Sequence, residues 1–355
     1  MAGSRGRDWW LRVGSPAEGF RFVDADGRPV PAEEVEGRIR SLAIPPAWTD
    51  VRVSPDPDHK VQAWGFDAAG RKQYIYHPRY VAWRAARKWG RVLRYARLLP
   101  RIRAATDRHL ARPELDRLKV LATVVRLTNR GFFRVGSERY AVRNRTFGIC
   151  TLRKSHVEVR GNTLIFTYPG KRKKDQRQVI ADTPLVDIVR DLLALPGSRL
   201  FRYRDGNRIR NVTAHAVNRY LRSIAGERCT SKDMRTFGGT VRAAIVLAEL
   251  GPPRSEREAQ RNIALCCRLV AHELGNTPAI CRSAYIHPAV LEEYRRGRTI
   301  QPLMQDGGQR DPAAGPAPDD YYPEEAALIG FLERHTAAGR LRRGSTLRDA
   351  RDAAA

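Results

Sequence analysis

Cysteine is scarce in this 355-residue chain, and its five occurrences (Cys150, Cys229, Cys266, Cys267, Cys281) form no Cys-x-x-Cys pair. An odd number without metal-ligand spacing argues against a disulfide framework and predicts reduced thiols, as in a cytoplasmic protein. The eight histidines show no His-Glu-x-x-His or other paired spacing, so no metal site is expected. Neither Gly-x-x-x-x-Gly-Lys-Ser/Thr nor Gly-x-Gly-x-x-Gly occurs, so nothing points to a nucleotide cofactor. No run of about 18 apolar residues exists, which argues against a bilayer span. Met1 to Arg7 has no apolar stretch behind it, so no secretory leader is expected. Acidic residues are also in short supply. Asp and Glu total 38 against 65 Lys and Arg, a net charge of +27 and an isoelectric point near 10.8. The excess runs along the whole chain, so a solvated basic arm does not explain it. It calls for a polyanionic partner, with a nucleic acid backbone the first candidate and an acidic membrane surface the second.

What is present suggests two or three domains. Residues 1–78 are rich in Gly, Pro, aromatic and β-branched residues. Val51 to Val53, Val61 to Phe66 and Lys72 to His77 read as strands, with a turn over Asp67 to Gly70. Basic and aromatic residues interleave at Arg71, Lys72, Tyr74 and Tyr76. Such a face can lie along DNA, although some of these tyrosines also suit an ordinary half-buried strand. From Tyr80 the period becomes helical, with Val81, Ala85, Trp89 and Val92 expected inward. A second helix is expected over Pro113 to Leu127, with Leu115, Leu118, Leu121, Ala122 and Val125 inward. Val157 to Arg160 and Thr163 to Tyr168 form a hairpin about Gly161-Asn162, and Arg177 to Ala181 is a third strand after the loop Pro169 to Asp175. Helices resume at Pro184 to Leu193. Thr213 caps a run to Ile224, and Ser231 caps another to about Leu250. Glu256 to Leu274 should turn Ala259, Ile263, Leu265, Leu269 and Val270 inward. Residues 301–320 read as a linker, Tyr321 to Ala338 as one amphipathic helix, and the remainder as a basic tail. The fold class is therefore α+β, a small β-rich domain before a mainly helical one with a small inserted sheet.

Four stretches carry candidate chemistry. In the first, Phe133-Arg134-Val135 sets a charge between apolar neighbours, where burial would demand a partner. In the second, Tyr168-Pro169-Gly170-Lys171 brings Lys171 to a hairpin tip, which alone reads as a solvated basic turn. In the third, Ser231 to Thr240 sets Arg235 one turn into a capped helix, with Lys232 on the same face. The fourth is Leu274-Gly275-Asn276-Thr277-Pro278, followed by Tyr285 and Pro288. Locally this is a helix corner, because Gly275 and Asn276 tolerate the left-handed region and both prolines suit a first turn. A free phenol, with a pKa near ~10, is a poor nucleophile unless strongly positive surroundings assist it.

In this order the stretches resemble the type IB DNA topoisomerases of the short bacterial and poxvirus kind, over roughly Ile44 to Tyr294. The marks are Ile44-Pro45-Pro46-Ala47-Trp48, Gly70-Arg71-Lys72-Gln73-Tyr74 with Tyr76-His77, Arg134-Val135-Gly136-Ser137-Glu138-Arg139-Tyr140, Phe147-Gly148 with Thr151-Leu152-Arg153, Lys232-Asp233-Met234-Arg235-Thr236, and Leu274 to Pro278 with Tyr285. The resemblance implies that Tyr285 attacks a phosphodiester of double-stranded DNA, forming a 3′-phosphotyrosyl link. Supercoils then relax by swivelling and religation, without ATP or metal. It implies that Arg134 and Arg235 hold the phosphoryl oxygens and that Lys171 protonates the leaving oxygen. Lys173 and Lys174 are rivals to Lys171, ranked lower because the family lysine directly follows glycine. Asn276 is a departure from the more usual histidine. It can donate a hydrogen bond but adds no charge, and bacterial members use it. Arg71, Lys72, Tyr74, Tyr76 and Lys232 become DNA contacts. The implied layout is a clamp domain at 1–78, a catalytic domain at 79–300 and an appendage at 301–355, acting as a monomer around DNA at the nucleoid, with no membrane or nucleotide partner. Two other readings compete. A site-specific tyrosine recombinase shares the Arg, Lys, Arg, Tyr set but usually shows His-x-x-Arg where this chain has Lys232-x-x-Arg235, and it lacks the β-rich leader. A non-catalytic basic DNA-binding protein would leave Tyr285 as a core residue.

Overall fold

The computed structural model describes residues 9–305 and 321–336. The opening Met1 to Arg7, the linker residues 306–320 and the tail from 337 lie outside the described residues. The chain divides into two compact units, Met1–Lys88 and Trp89–Ala355. Among the described residues no helix is long and apolar enough to cross a membrane.

The first unit is an antiparallel sheet of β1 (Trp10–Ser15), β2 (Gly19–Val23), β3 (Thr49–Val53), β4 (Val61–Phe66) and β5 (Lys72–Tyr76), in spatial order β2-β1-β3-β4-β5. Alternation in β3 buries Val51 and Val53, and Val53 sits opposite Ala63 in β4. Val30 and Ile39 complete this small core. Ile39 comes from a π-helical turn, Val35–Ile39, that continues α1 (Ala32–Glu34). The expected turn forms as Asp67 Oδ1 accepts the N–H groups of Ala69 and Arg71, with Gly70 at φ +68°. The Arg71 guanidinium holds the Asp67 carboxyl down at about 2. Strands β1 and β2 were not expected. No residue in either is fully buried; β1 shows no inside-outside alternation, and that of β2 runs only between exposed and half-buried positions.

Helix α2 (Pro78–Arg97) straddles the division between units. Its helical period was legible, but the expected inward face is corrected. Val81 and Ala85 are exposed, Trp89 is half-buried, and only Val92, Tyr95 and Ala96 enter the core. The second unit continues with α3 (Leu99–Leu110), which the intervening arginines concealed, and α4 (Arg117–Gly131). Helix α4 starts later than Pro113 because Asp116 is its cap, accepting the Lys119 N–H at 2.9 Å. Leu121, Ala122 and Val125 are buried there, whereas Leu115 and Leu118 are half-buried.

After α5 (Glu138–Asn144) comes a three-stranded meander, β6 (Val157–Arg160), β7 (Thr163–Pro169) and β8 (Asp175–Ala181). Strand β8 begins two residues before Arg177 because Asp175 pairs with Pro169. Helix α6 (Thr183–Ala194) and an unexpected hairpin, β9 (Arg202–Asp205) with β10 (Arg208–Asn211), lead to α7 (Ala214–Ala225), capped by Thr213 as expected. Helix α8 (Ser231–Glu249) is capped by Thr230 rather than Ser231. Thr230 Oγ1 accepts the Asp233 N–H, and the Asp233 carboxylate accepts the Thr230 N–H at 3.0 Å.

Helix α9 (Glu256–Leu274) buries Ala259, Ile263 and Val270 as expected, but Leu265 is half-buried and Leu269 is exposed. Cys266 and Cys267 take the inward places, acting as small hydrophobes. All five cysteines are free and buried. Helices α10 (Pro278–Ala284), α11 (Pro288–Arg295) and α12 (Gln301–Gln305) follow, so the expected linker does not begin at 301. The expected amphipathic helix runs over 323–336, burying Ala327, Leu328, Phe331 and Leu332, with Glu325 accepting from Arg103 at 2.7 Å.

Candidate active site

The corner between α9 and α10 forms as the sequence suggested. Gly275 ends α9 at φ +59°, and the Asn276 N–H returns to the Ala271 carbonyl at 2.9 Å. Thr277 caps α10, Pro278 fills its first turn, and α10 ends at Tyr285, whose N–H bonds to the Cys281 carbonyl. His287 then caps α11, with Pro288 in its first turn. Both glycines after Arg235 admit a neighbour. A Cβ on Gly238 would lie 2.2 Å from the Phe132 ring, and one on Gly239 would lie 3.1 Å from the Tyr285 carbonyl. The end of α4 and the Tyr285 backbone therefore both press onto α8 one turn beyond Arg235. The Thr240 hydroxyl, on the next residue of α8, lies 3.1 Å from the Tyr285 carbonyl and accepts the His287 N–H at 3.2 Å.

The Arg134 backbone is held by the second half of its motif. The Ile149 N–H donates to the Arg134 carbonyl at 2.8 Å and the Cys150 N–H to the Val135 carbonyl at 3.1 Å. A Cβ on Gly148 would stand 2.5 Å from the Arg134 oxygen, so the chains cross with no room for a side chain. From this fixed point Arg134 Nη2 donates to the Gly275 carbonyl at 2.8 Å and to Asn276 Oδ1 at 2.5 Å.

Arg235 is 4% exposed, its Nη2 donates to the Leu274 carbonyl at 2.9 Å, and its guanidinium carbon lies 5.5 Å from the Tyr285 ring. Among the described residues no carboxylate pairs with Arg134 or Arg235. Burial, and secondarily Arg134, pushes the Arg235 guanidinium down to about 10, while Tyr285 pulls the other way. It therefore stays cationic at neutral pH. Because a guanidinium only donates, the Asn276 oxygen must face Arg134 and its amide nitrogen must face away. Asn276 Nδ2 and Arg235 Nε are consequently buried donors without an acceptor. Buried polar groups are rarely left this way, and two cations without a carboxylate suit an anion. Tyr168 lies close to both arginines, its phenol pushed up to about 12 by burial.

A family model described as the catalytic core of eukaryotic DNA topoisomerase I matches residues 81–306, and another described as the N-terminal domain of bacterial DNA topoisomerase IB matches residues 19–67. The chain belongs to the type IB DNA topoisomerase family. It is 31% identical over 274 residues to the DNA topoisomerase 1B of Acanthamoeba polyphaga mimivirus, covering 75% of this chain and 81% of the relative. It is 25% identical over 281 residues to the vaccinia virus (strain Copenhagen) DNA topoisomerase 1B, covering 74% and 82%. This topoisomerase is accordingly an enzyme, and all five of its candidate catalytic residues fall within the matched core.

Four of those five meet in this topoisomerase: Arg134, Arg235, Asn276 and Tyr285. Lys171 stands apart on the tip between β7 and β8, exposed like Lys173 and Lys174, in a loop closed by the Gly170 N–H to the Lys174 carbonyl at 2.8 Å. Within that tip Arg172 and Lys173 both adopt positive φ, at 64° and 55°. The loop meets the arginine cluster through Gln176, which sequence reasoning missed. Gln176 is buried, and its Oε1 lies 3.5 Å from Arg134 Nη1. Lys232 is exposed, one turn before buried Arg235. The N-terminal candidates form a row of their own. Arg71 pairs with Asp67 at 2.8 Å, Lys72 Nζ sits 3.3 Å over the Trp64 ring, and Tyr74 stacks on Tyr76 at 5.8 Å. The row extends further than expected, through Tyr80 and Trp83 with Arg84 and Arg87 over their rings. Two adjacent glycines one turn after Arg235 were the one available signal for the Gly238 and Gly239 contacts.

Proposed function

We propose that this enzyme relaxes supercoiled double-stranded DNA by cutting and resealing one strand. Tyr285 Oη attacks a backbone phosphorus and the bond to the 5′ oxygen breaks, leaving a 3′-phosphotyrosyl link and a 5′-hydroxyl. The phenol gives up its proton, and Lys171 supplies one to the departing oxygen. Arg134 and Arg235 donate to the phosphoryl oxygens as negative charge builds there, and Asn276 adds a neutral donor. The free end swivels, and the reverse reaction reseals the strand. The phosphotyrosyl bond stores the energy of the broken one, so ATP hydrolysis is not required, and no metal ion is assigned a step.

The observation that carries this reading is the pair of buried, unsatisfied donors, Arg235 Nε and Asn276 Nδ2, in a carboxylate-free cluster around Tyr285. Residues 1–78 serve as a clamp domain whose Arg71, Lys72, Tyr74 and Tyr76 lie along DNA, beside residues 79–300 as the catalytic domain, with Lys232 as a further contact. The protein works as a monomer at the nucleoid. Purified protein should relax supercoiled plasmid in EDTA without ATP. Tyr285→Phe should bind the plasmid equally well yet give no covalent adduct on a denaturing gel. Wild-type protein that binds plasmid but leaves the supercoils intact would defeat the reading, and an adduct formed by Tyr285→Phe would remove Tyr285 as nucleophile.

A further inference from the structure

Gln176 touches both sides of the reaction centre, and its contacts are unequal. A Cβ on Gly275 would lie 1.9 Å from its Oε1, and a Cβ on Gly170 would lie 2.5 Å from its Cγ. The side chain is therefore seated between the α9–α10 corner and the glycine directly before Lys171. Its Nε2 donates to the Asp175 carbonyl at 3.0 Å and the Lys174 carbonyl at 3.3 Å, both in the Lys171 loop. Its oxygen receives only the 3.5 Å approach of Arg134 Nη1, at the outer limit of a hydrogen bond. Arg134 holds Asn276 and Gly275 more tightly without it. The loop has greater need of support. Arg172 and Lys173 are successive non-glycine residues in the left-handed region, a conformation that persists only where its surroundings impose it.

We propose that Gln176 is a positioning residue for Lys171, the peg that docks the lysine-bearing loop on the Gly275–Asn276 corner. It touches no reacting atom. Its amide sets where the lysine stands when the 5′ oxygen departs. The proposal rests on the reading of Lys171 as the general acid. Gln176→Met keeps nearly the same shape between the two glycines and removes the amide.

The test is single-turnover cleavage of two DNA substrates, one ordinary and one with sulfur in place of the bridging 5′ oxygen. A thiolate leaves without a proton, so the sulfur substrate needs no acid. Lys171→Ala should lose about 10²–10⁴-fold on oxygen, the span of general acid catalysis, and recover on sulfur. Gln176→Met should lose about 10-fold on oxygen, a part of that same span, and recover to within about 2-fold of wild type on sulfur. DNA affinity and melting temperature should be unchanged. Gln176→Leu serves if the methionine variant does not fold. Equal losses on both substrates, or no loss on oxygen, overturn the proposal. A Lys171→Ala that stays slow on sulfur brings down the acid reading itself, and the Gln176 role with it, which is a different pattern from Gln176 alone failing to recover.

Discussion

In the N-terminal unit, the cations of the aromatic row lie in the open. Lys72 rests on the Trp64 ring, Arg71 is neutralised by Asp67, and Arg84 and Arg87 cover Tyr80 and Trp83. In the helical unit Arg235 is buried, held by a backbone carbonyl and left without a carboxylate, and Arg134 beside it is half-buried in the same condition. Exposed cations are screened by salt and individually worth little, so in the proposed function they would supply affinity as a row. A buried cation without a counter-charge costs stability. An arriving anion would offset that cost, so in the proposed function its contribution belongs to the chemical step.

The sharpest way to break this contrast is Arg235→Met. Cleavage should fall about 10²–10³-fold, as when a single oxyanion donor is lost. Melting temperature should hold or rise. The sign follows from a folded-state pKa pushed down to about 10, below the ordinary arginine value. Throughout the neutral range the group is charged both folded and unfolded, so its burial subtracts from stability. That penalty fades only as pH climbs past about 10. Thermal melts of both proteins at neutral pH check it, and a variant that melts lower would mean that the Leu274 bond outweighs the buried charge.

Gly239→Ala probes placement without touching charge. The new methyl would meet the Tyr285 carbonyl at 3.1 Å and the Tyr285 Cβ at 3.3 Å, so Tyr285 shifts by a fraction of an ångström. About a 10-fold slower cleavage is expected, in keeping with the steep cost of misplacing a reacting group. Melting temperature should change little, since alanine favours a helix over glycine by about 1 kcal/mol. The smallest effect belongs to the exposed row. Lys72→Ala and Arg84→Ala should each weaken DNA binding a few-fold and reduce the slope of log affinity against log salt by about 1. Cleavage at saturating DNA should keep its rate. A slower saturated rate would show that the row does more than hold.

Much of this was legible because short-range chemistry dictated it. Gly275, Asn276, Pro278 and Pro288 mark a helix corner wherever they stand in that order, and Arg134 between Phe133 and Val135 had to be partly buried. Gly161-Asn162 placed the β6–β7 turn. The failures have a common physical origin in partners remote along the chain. Leu269 fits a helical face but is exposed, and the inward places beside it go to Cys266 and Cys267. Strand β1 is half-buried on both faces, which erases alternation, and β2 buries no residue fully. Gln176 looked like one more polar residue in a basic loop, because its importance depends on two glycines that only the fold brings against it.

Thr240 has a mechanical consequence. Its hydroxyl stands against the Tyr285 carbonyl and accepts the N–H of His287, so the backbone leaving Tyr285 is held against α8, a 19-residue helix set in the core. Once the strand is cut in the proposed reaction, the 3′ end hangs from that tyrosine while the duplex unwinds. Torque from the turning DNA would then pass through one phenol into a backbone packed against this buried helix. The rotatable bonds along that line are the tyrosine's side-chain torsions and those of the phosphotyrosyl link, which leaves the DNA, rather than the helix, as the part that spins.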